Sequence, residues 1–351
     1  MNIGIVGCGN IAARYATTIG AAPGLDLVAA TDVLPGRAEE LAASFGGVAH
    51  ETLEELLADG DVELVVNLTA PQVHADVTRA ALEAGRHVYS EKPLALRHDE
   101  ARALVELAAA RGLLLGGAPS TLLGEAQQTA WKLVREGALG TVRIAYAEAN
   151  WGRLETWHPS PQSLYGVGAF VDVGVYPLTI VTAMFGPARR VSAYGTVVMP
   201  ERTLGSGETF RLEAPDFVVA AIELERGVVV RLTATFYVMP SKQRGLELHG
   251  DDGRLYMAAW DAANSRLELA TGGGDYEPVE LVREPYDGID WSRALVDLAE
   301  AARDGRAPRA NGEHAAHVVE ILDAIRTSAA DGRPVEVHSG FTPPPPLEWG
   351  T

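Results

Sequence analysis

A glycine-rich turn close to the N-terminus is the feature that most constrains how this chain can fold. The apolar residues 3–6 predict a strand, residues 11–19 predict a helix, and the turn between them fits the pattern G-x-G-x-x-A from Gly7 to Ala12. A second predicted strand ends at Asp32, 23 positions after Gly9. A strand, a glycine turn, a helix and an acidic residue at this spacing are typical of the βαβ unit in doubly wound α/β proteins.

Strands and helices continue to alternate through the first third of the chain. Short apolar strands separated by amphipathic helices indicate a parallel sheet with helices on both faces. The predicted strands are at residues 27–31, 64–68, 87–89 and 113–115, and the predicted helices at residues 37–45, 73–82 and 100–110.

Beyond about residue 118 the pattern changes to longer alternating segments, which predict a large, mainly antiparallel sheet with a few helices. Arg226-Gly227, between two of these segments, predicts a tight hairpin. With 351 residues, the chain is long enough for two domains. We therefore expect a doubly wound α/β domain at residues 1–118 and an α+β domain with an open sheet at residues 119–351.

The charge balance and the cysteine count argue against several classes of protein. The chain has 29 Lys and Arg residues against 47 Asp and Glu residues, and its net charge of −18 repels nucleic acid and anionic lipid surfaces. No apolar stretch approaches the ~18–20 residues of a membrane span. Cys8 is the only cysteine, so no disulfide can form within the chain, and the cytoplasm is the expected compartment.

The glycine turn predicts a site for the pyrophosphate of a dinucleotide. Gly7 permits the tight turn, Gly9 lets the backbone approach the phosphates, and the N–H groups at the start of the following helix face them. Asp32 would accept hydrogen bonds from the ribose hydroxyls and repel a 2′-phosphate, which favours NAD, although Arg37 leaves NADP open. An unused turn is the alternative interpretation. Cys8 is interpreted as a small filler residue, with a redox switch as the alternative.

Polar residues also follow two later strands, in the region where doubly wound sheets bind their ligands. Thr69 follows the strand at residues 64–68, His74 lies on the next helix, and Glu91-Lys92-Pro93 follows the strand at residues 87–89. A partly desolvated Lys92 would have a lowered pKa and could polarise a substrate hydroxyl. The alternatives are a surface lysine and a histidine that only caps or packs its helix.

A third group of candidates lies in the second predicted domain. Asp172 and Tyr176 are four residues apart in a glycine-rich segment, so on a helix they would share one face. The acid could orient a substrate, and the phenol, whose ordinary pKa of about 10 falls beside a lysine ammonium, could exchange its proton. A satisfied buried acid and a core tyrosine are the alternative. Upstream, Trp157 and His158 suit stacking and hydrogen bonding to a polyol, and equally suit a plain interface loop.

Together these residues resemble the Gfo/Idh/MocA oxidoreductases, the relatives of glucose–fructose oxidoreductase and inositol dehydrogenase. The resemblance covers nearly the whole chain and rests on the glycine turn, on Glu91-Lys92-Pro93, on residues 69–74 and on Asp172 with Tyr176. It implies an N-terminal Rossmann domain that binds NAD(P) and a C-terminal open sheet often used for oligomerisation. It also implies that Lys92 contacts substrate and nicotinamide, that Asp172 orients the substrate, and that Tyr176, where many members have His, is the acid/base.

The sequence therefore predicts an NAD-dependent oxidoreductase that transfers a hydride between nicotinamide and a secondary alcohol or ketone of a sugar, a sugar derivative or a cyclitol. Lys92, Asp172 and Tyr176 are the predicted catalytic residues, and Trp157 and His158 join them in binding the substrate. The predicted cofactor site consists of Gly7, Gly9, Asn10, Ile11, Asp32, Thr69, His74, Glu91 and Lys92. We expect no metal site, and a homo-dimer or homo-tetramer formed through the C-terminal sheet. An NAD-dependent redox-neutral glycosidase and a non-catalytic NAD-sensing regulator are the alternatives.

Overall fold

The computed structural model describes residues 1–158 and 160–351, which form two compact units. The first unit comprises Met1–Ser120 and Asp290–Val319, and the second comprises Thr121–Ile289 and Glu320–Thr351. The division expected from the sequence has a single crossing between residues 118 and 119. In the structure, residues 290–319 return to the first unit, so the chain passes between the units three times.

The strands are numbered in chain order. They are β1 (Asn2–Val6), β2 (Asp26–Thr31), β3 (Val48–His50), β4 (Leu64–Asn67), β5 (His87–Ser90), β6 (Leu115–Gly117), β7 (Val142–Asn150), β8 (Ala188–Thr196), β9 (Glu201–Thr203), β10 (Thr209–Arg211), β11 (Phe217–Leu224), β12 (Val229–Thr235), β13 (Gly245–Gly250), β14 (Gly253–Met257), β15 (Leu267–Thr271), β16 (Glu277–Val279) and β17 (Val335–Glu336).

The α-helices are numbered in the same way, and short 3₁₀ turns lie between them. The helices are α1 (Ala12–Ala21), α2 (Arg37–Phe45), α3 (Leu53–Ala58), α4 (His74–Glu83), α5 (His98–Ala110), α6 (Glu125–Arg135), α7 (Gln162–Val167), α8 (Ala169–Asp172), α9 (Val175–Phe185), α10 (Arg293–Asp304) and α11 (Gly312–Asp331). The 3₁₀ turns are at Pro71–Val73, Thr121–Leu123, Leu154–Thr156 and Glu348–Gly350.

The first unit is built on a parallel sheet with the strand order β3-β2-β1-β4-β5-β6. β4 is apolar and buried along its length, as expected for a strand in a sheet that is covered on both faces. The strand order reverses between β1 and β4, which is the point where doubly wound sheets bind nucleotides. Gly7 follows β1 and Thr69 lies just beyond β4, so both predicted site residues lie at this reversal.

The segment 290–319 belongs to the first unit because it bonds to the edge of this sheet. Gly116 of β6 pairs with Asn311, and the backbone N–H of Gly117 donates to the carbonyl of Ala310 at 3.0 Å. Val319 of α11 packs into the apolar core that contains Val65 and other residues of the sheet. A late part of the chain therefore completes a fold that the first 120 residues begin.

The second unit is built on a nine-stranded sheet with the order β16-β15-β14-β13-β7-β12-β11-β8-β17. β7 and β12 pair in parallel, and every other pair in the sheet is antiparallel. One face is buried, and the apolar helix α9 packs against β7. The opposite face leaves large apolar side chains exposed, among them Ile144, Tyr194 and Val229.

The structure confirms the predicted fold class, a doubly wound parallel sheet followed by a large, mainly antiparallel open sheet. The sequence did not predict β3, α3 or the separate hairpin formed by β9 and β10. In the described part of the chain, no helix combines the length and the apolar character needed to cross a bilayer.

Candidate active site

The two glycines of the first turn meet different surroundings. Gly7 has a φ of 92°, and a Cβ added there would lie 2.8 Å from the backbone carbon and oxygen of Leu68. A side chain is therefore excluded at Gly7 by both conformation and space. A Cβ added at Gly9 would meet no atom within 4 Å, so this glycine borders open space.

The open space beside Gly9 lies next to the start of α1. This helix begins after Ile11, no side chain caps its first turn, and no acidic residue neutralises its positive end. Asn10, in the middle of the turn, is exposed. Backbone N–H groups beside an accessible glycine suit a pyrophosphate, which is the group predicted from the sequence.

Asp32 is a buried acid that holds the turn in place. Its Oδ2 accepts a hydrogen bond from the N–H of Cys8 at 2.6 Å, and its Oδ1 accepts one from the N–H of Leu34 at 2.7 Å. A carboxylate oxygen has two acceptor sites, so the carboxylate of Asp32 can also receive ribose hydroxyls. Nη1 of Arg37 lies 4.0 Å from Oδ2, and this half-exposed cation keeps NADP open as an alternative cofactor.

The surroundings of Cys8 disfavour its thiolate form. Burial and the neighbouring charge of Asp32 raise the pKa of the Cys8 thiol to about 12. The reactive form of cysteine is the thiolate, which this environment disfavours at neutral pH. The interpretation as a small residue that fills a tight turn is therefore the better one.

Asn67 organises the residues that follow β4. Its side-chain nitrogen donates to the carbonyl of His74 at 3.0 Å and to the hydroxyl of Thr78 at 3.1 Å. Its oxygen accepts from the hydroxyl of Thr69 at 2.6 Å and from the backbone N–H of the same residue at 3.2 Å. Asn67 is fully buried, so Thr69 has one fixed orientation at the edge of the turn.

His74 is buried and faces backbone carbonyls on both sides of its ring. Nδ1 lies 2.7 Å from the carbonyl of Pro93, and Nε2 lies 2.9 Å from the carbonyl of Thr69. Burial lowers the pKa of His74, while the hydrogen bonds to the two carbonyls act in the opposite direction and only partly offset it. Both ring nitrogens face protein groups. His74 can therefore affect the cofactor site only by holding in place the loops of Thr69 and Pro93.

The turn Glu91-Lys92-Pro93 is fixed by a buried carboxylate. Oε2 of Glu91 accepts from the N–H of Lys92 at 3.0 Å, and Oε1 accepts from the phenol of Tyr15 at 2.8 Å. The ring of Tyr15 packs on Trp291, with centroids 5.1 Å apart. Tyr15 lies 76 residues from its partner, and no sequence pattern identified it as part of this arrangement.

In the second unit, Asp172 and Tyr176 lie on successive helices rather than on one. Asp172 ends α8, and Tyr176 is the second residue of α9. Between them, the N–H of Gly174 donates to the carbonyl of Ala169 at 3.2 Å, five residues back. Such a wide turn is a π-turn, which closes the C-terminal end of α8 before α9 begins. The spacing of four residues therefore does not by itself put the two side chains on one helix face.

Tyr176 is half-buried and packs against a tryptophan that the sequence did not single out. Its ring centroid lies 4.8 Å from that of Trp260, with 32° between the planes. The indole N–H of Trp260 donates to the carbonyl of Glu148 at 3.2 Å, which fixes the plane against which Tyr176 packs. Trp260 lies in the loop between β14 and β15, where a lone aromatic residue gives no periodic signal.

Trp157 and His158 lie together on the loop that follows β7. Their rings meet edge to face, with centroids 5.4 Å apart, and 58% of Trp157 is exposed. Nδ1 of His158 accepts from the N–H of Ser160 at 3.0 Å. Pro159, which the predicted loop also included, lies outside the described residues.

Comparisons with known proteins assign both units to one family. A family model described as an oxidoreductase family with an NAD-binding Rossmann fold matches residues 1–117, and a GFO/IDH/MocA C-terminal domain matches residues 127–256. A dTDP-3,4-didehydro-2,6-dideoxy-alpha-D-glucose 3-reductase from Streptomyces antibioticus is 32% identical over 95% of this chain and 97% of its own length. The chain belongs to the GFO/IDH/MocA oxidoreductase family.

Other relatives agree with this assignment. A dTDP-3,4-didehydro-2,6-dideoxy-alpha-D-glucose 3-reductase from Actinomadura kijaniata is 28% identical over 94% of this chain and 96% of its own length. A solved structure of levoglucosan dehydrogenase in complex with NADH and L-sorbose has a TM-score of 0.84 at 23% identity, covering 97% of this chain and 99% of the other. As a member of the GFO/IDH/MocA family, the protein is an NAD-binding oxidoreductase, so the predicted family, enzyme class and cofactor are confirmed.

Proposed function

We propose that this oxidoreductase transfers a hydride between NAD and a secondary alcohol or ketone of a sugar, a sugar derivative or a cyclitol. The observation that carries the proposal is the turn of Lys92, whose amide is held by a buried carboxylate in the unit that binds the dinucleotide. The relatives support the substrate class, since those compared above are sugar reductases or a sugar dehydrogenase.

The first unit holds the cofactor in this proposal. Gly9, Asn10 and the start of α1 bind the pyrophosphate, and Asp32 binds the adenosine ribose. When bound, NAD supplies the nicotinamide ring that accepts or returns the hydride. Thr69 and Glu91 shape the neighbouring loops through their hydrogen bonds.

Three residues handle the substrate. Lys92 polarises the reacting oxygen, Tyr176 exchanges the hydroxyl proton, and Asp172 fixes the orientation of the ring. Trp157 offers an exposed indole face for the C–H groups of a sugar, and His158 lies beside it on the same loop as the proposed partner of a sugar hydroxyl. Orienting the two reactants supplies most of the rate acceleration in this scheme.

We also propose which part of the chain binds each reactant and how copies of the chain associate. Residues 1–118 bind the cofactor, and residues 119–351 bind the substrate and form a homo-dimer or homo-tetramer through the open face of the nine-stranded sheet. The exposed side chains of Ile144, Tyr194 and Val229 on that face support this assembly. The net charge of −18 argues against nucleic acid as a partner, and the lone cysteine favours a cytoplasmic location.

A substrate screen tests the proposed activity. Sugars, nucleotide sugars, cyclitols and glycosides are offered with NAD and with NADP in parallel, and reduced cofactor is followed by absorbance. The proposal expects reduced cofactor with NAD and at least one polyol. Cleavage of a glycoside without net NADH would instead identify a redox-neutral glycosidase, and signal with NADP alone would overturn the role of Asp32.

The role of Lys92 has its own test. We expect Lys92→Ala to lose turnover by at least about 100-fold, because general acid–base and polarising groups contribute about that much. NADH affinity, measured by fluorescence titration, should stay within about twofold of the wild type. A parallel loss of turnover and NADH binding would mean that Lys92 holds the fold or the cofactor rather than the reacting oxygen.

A further inference from the structure

A buried arginine in the second unit connects three separate segments of chain. Arg202, the middle residue of β9, is 0% exposed. Its Nη2 donates to the carboxylate of Asp216, its Nη1 donates to Oε1 of Glu155 at 3.2 Å, and its Nε donates to the carbonyl of Met199 at 3.1 Å. Asp216 is equally buried, and its Oδ1 accepts from the N–H of Val198 at 2.6 Å.

Glu155 carries this network into the loop that follows β7. Its second oxygen accepts from the phenol of Tyr165, and the same phenol accepts from the N–H of Leu154 at 3.0 Å. Burial and the bond to Glu155 raise the pKa of Tyr165, so the phenol remains a neutral donor. Leu154 is 1% exposed, so the loop is held by a buried side chain as well as by these bonds.

The anchored segment leads directly to the two aromatic residues assigned to the substrate. Trp157 and His158 lie two and three residues after Glu155, and their backbone N–H groups both donate to the carbonyl of Leu154, at 3.1 and 2.8 Å. The position of the exposed indole is therefore set by Leu154 and Glu155, and through Glu155 by Arg202.

The chemistry of the network requires an arginine. A guanidinium presents several donors in a fixed planar fork, whereas an ammonium is a compact point charge that cannot reach both carboxylates in the same geometry. Arg202 also lies over the ring of Tyr165, 5.2 Å from its centroid. Loss of one of these bonds would leave a buried carboxylate without its cationic partner, which is costly.

We propose that Arg202 is a positioning residue that fixes the loop of Trp157 and His158 and thereby sets the affinity for the sugar ring. This inference rests on the proposed function, because it takes these two residues as part of the substrate site. Arg202 itself touches neither substrate nor cofactor in this scheme. Its effect on catalysis is expected in the KM for the polyol.

The test compares Arg202→Lys with Arg283→Lys. Arg283 is a control arginine in the same unit: its side chain is half-exposed, its Nε and Nη2 donate to the buried carboxylate of Glu125 at 2.9 and 2.7 Å, and its guanidinium lies 3.8 Å from the ring centroid of Trp349. We expect Arg202→Lys to raise the polyol KM about tenfold, with kcat and NADH affinity within about twofold, because displacement of the loop removes contacts that hold the sugar ring equally in the ground state and the transition state. Arg283→Lys should leave all three unchanged.

Loop anchoring is read independently by limited trypsin digestion. Cleavage after the half-exposed Arg153 requires the buried Leu154 to leave its site, so its rate reports opening of the loop. Mass spectrometry should show this cleavage several-fold faster in Arg202→Lys than in the wild type and in Arg283→Lys. Tyr165→Phe, which removes one hydroxyl from the network, should show a smaller shift in the same direction, and it replaces Arg202→Lys if that variant does not fold.

A double variant links the two readouts. Trp157→Ala should raise the polyol KM, and Arg202→Lys added to it should raise KM little further, because the ring that the network positions is already gone. Full additivity, or faster cleavage with an unchanged KM, would make the network a structural element only. Unchanged cleavage in an active enzyme overturns the anchoring alone, whereas a wild type that oxidises no polyol overturns the proposed function and this inference with it.

Discussion

At the scale of single residues, Gly7 and Gly9 of the glycine turn are required to be glycine by different constraints. Gly7 is constrained by the protein itself, through its positive φ and the backbone of Leu68 at 2.8 Å from an added Cβ. Gly9 is unconstrained within the protein, because an added Cβ meets nothing within 4 Å. We therefore propose that the requirement for glycine at position 9 comes from the cofactor, in which case a substitution there would weaken binding without weakening the fold.

We expect Gly9→Ala to fold like the wild type and to bind NADH at least about tenfold more weakly, since the added methyl occupies the space that the pyrophosphate approaches. Its Tm should stay within about 2 °C of the wild type. Gly7→Ala is the contrasting variant and should lower the Tm as well. Calorimetry gives the Tm, and fluorescence titration gives the affinity. Unchanged NADH affinity in Gly9→Ala would remove this glycine from the cofactor site.

At the scale of elements, the joint between α8 and α9 determines how Asp172 and Tyr176 are presented. Its wide turn depends on Gly174, because a Cβ added there would lie 2.5 Å from the carbonyl oxygen of Phe170. A side chain would force either the turn or the start of α9 to move. Tyr176 is two residues beyond this glycine, so such a movement changes the orientation of the phenol.

We expect Gly174→Ala to lower the free energy of unfolding by about 1–3 kcal/mol, the usual cost of a forced backbone shift in a packed site. Turnover should fall while NADH affinity, a property of the first unit, is kept. Gly166→Ala is the matched control: this glycine lies within α7, and an added Cβ meets nothing within 4 Å. Alanine should stabilise that helix by about 0.5–1 kcal/mol. Urea unfolding gives both values, and equal effects of the two substitutions would contradict the steric argument.

What could be predicted from the sequence at this scale depended on how local the signal was. The glycine turn, Asp32 and the parallel sheet follow from short-range spacing and periodicity. The partners of buried polar groups do not, because they lie far apart in the chain: Arg202 is 47 positions from Glu155, and Tyr15 is 76 from Glu91. The stacking of Trp260 on Tyr176 is hidden for the same reason, since it depends on a loop between two strands of the large sheet.

At the scale of the whole molecule, buried and half-buried histidines make stability depend on pH. Burial lowers the pKa of His74, His87 and His314, all in the first unit, and the proximity of His317 contributes to lowering that of His314 to about 3. In the unfolded chain a histidine takes up a proton at about pH 6.5. Below that pH the unfolded state binds more protons than the folded state, so stability falls as the pH falls.

The contribution of His314 alone to this pH dependence of stability follows from its lowered pKa. Between pH 7 and pH 5 the unfolded chain gains about 0.7 proton at position 314 while the folded chain gains almost none, which costs the folded state about 2 kcal/mol. His314→Gln, whose side chain does not titrate, should therefore lose about 2 kcal/mol less stability than the wild type over that interval, whatever its stability at pH 7. His338→Gln, at an exposed histidine, is the control and should lose as much as the wild type. Urea unfolding at pH 7, 6 and 5 measures the difference, and parallel losses in wild type and His314→Gln would show that His314 is protonated in the folded protein.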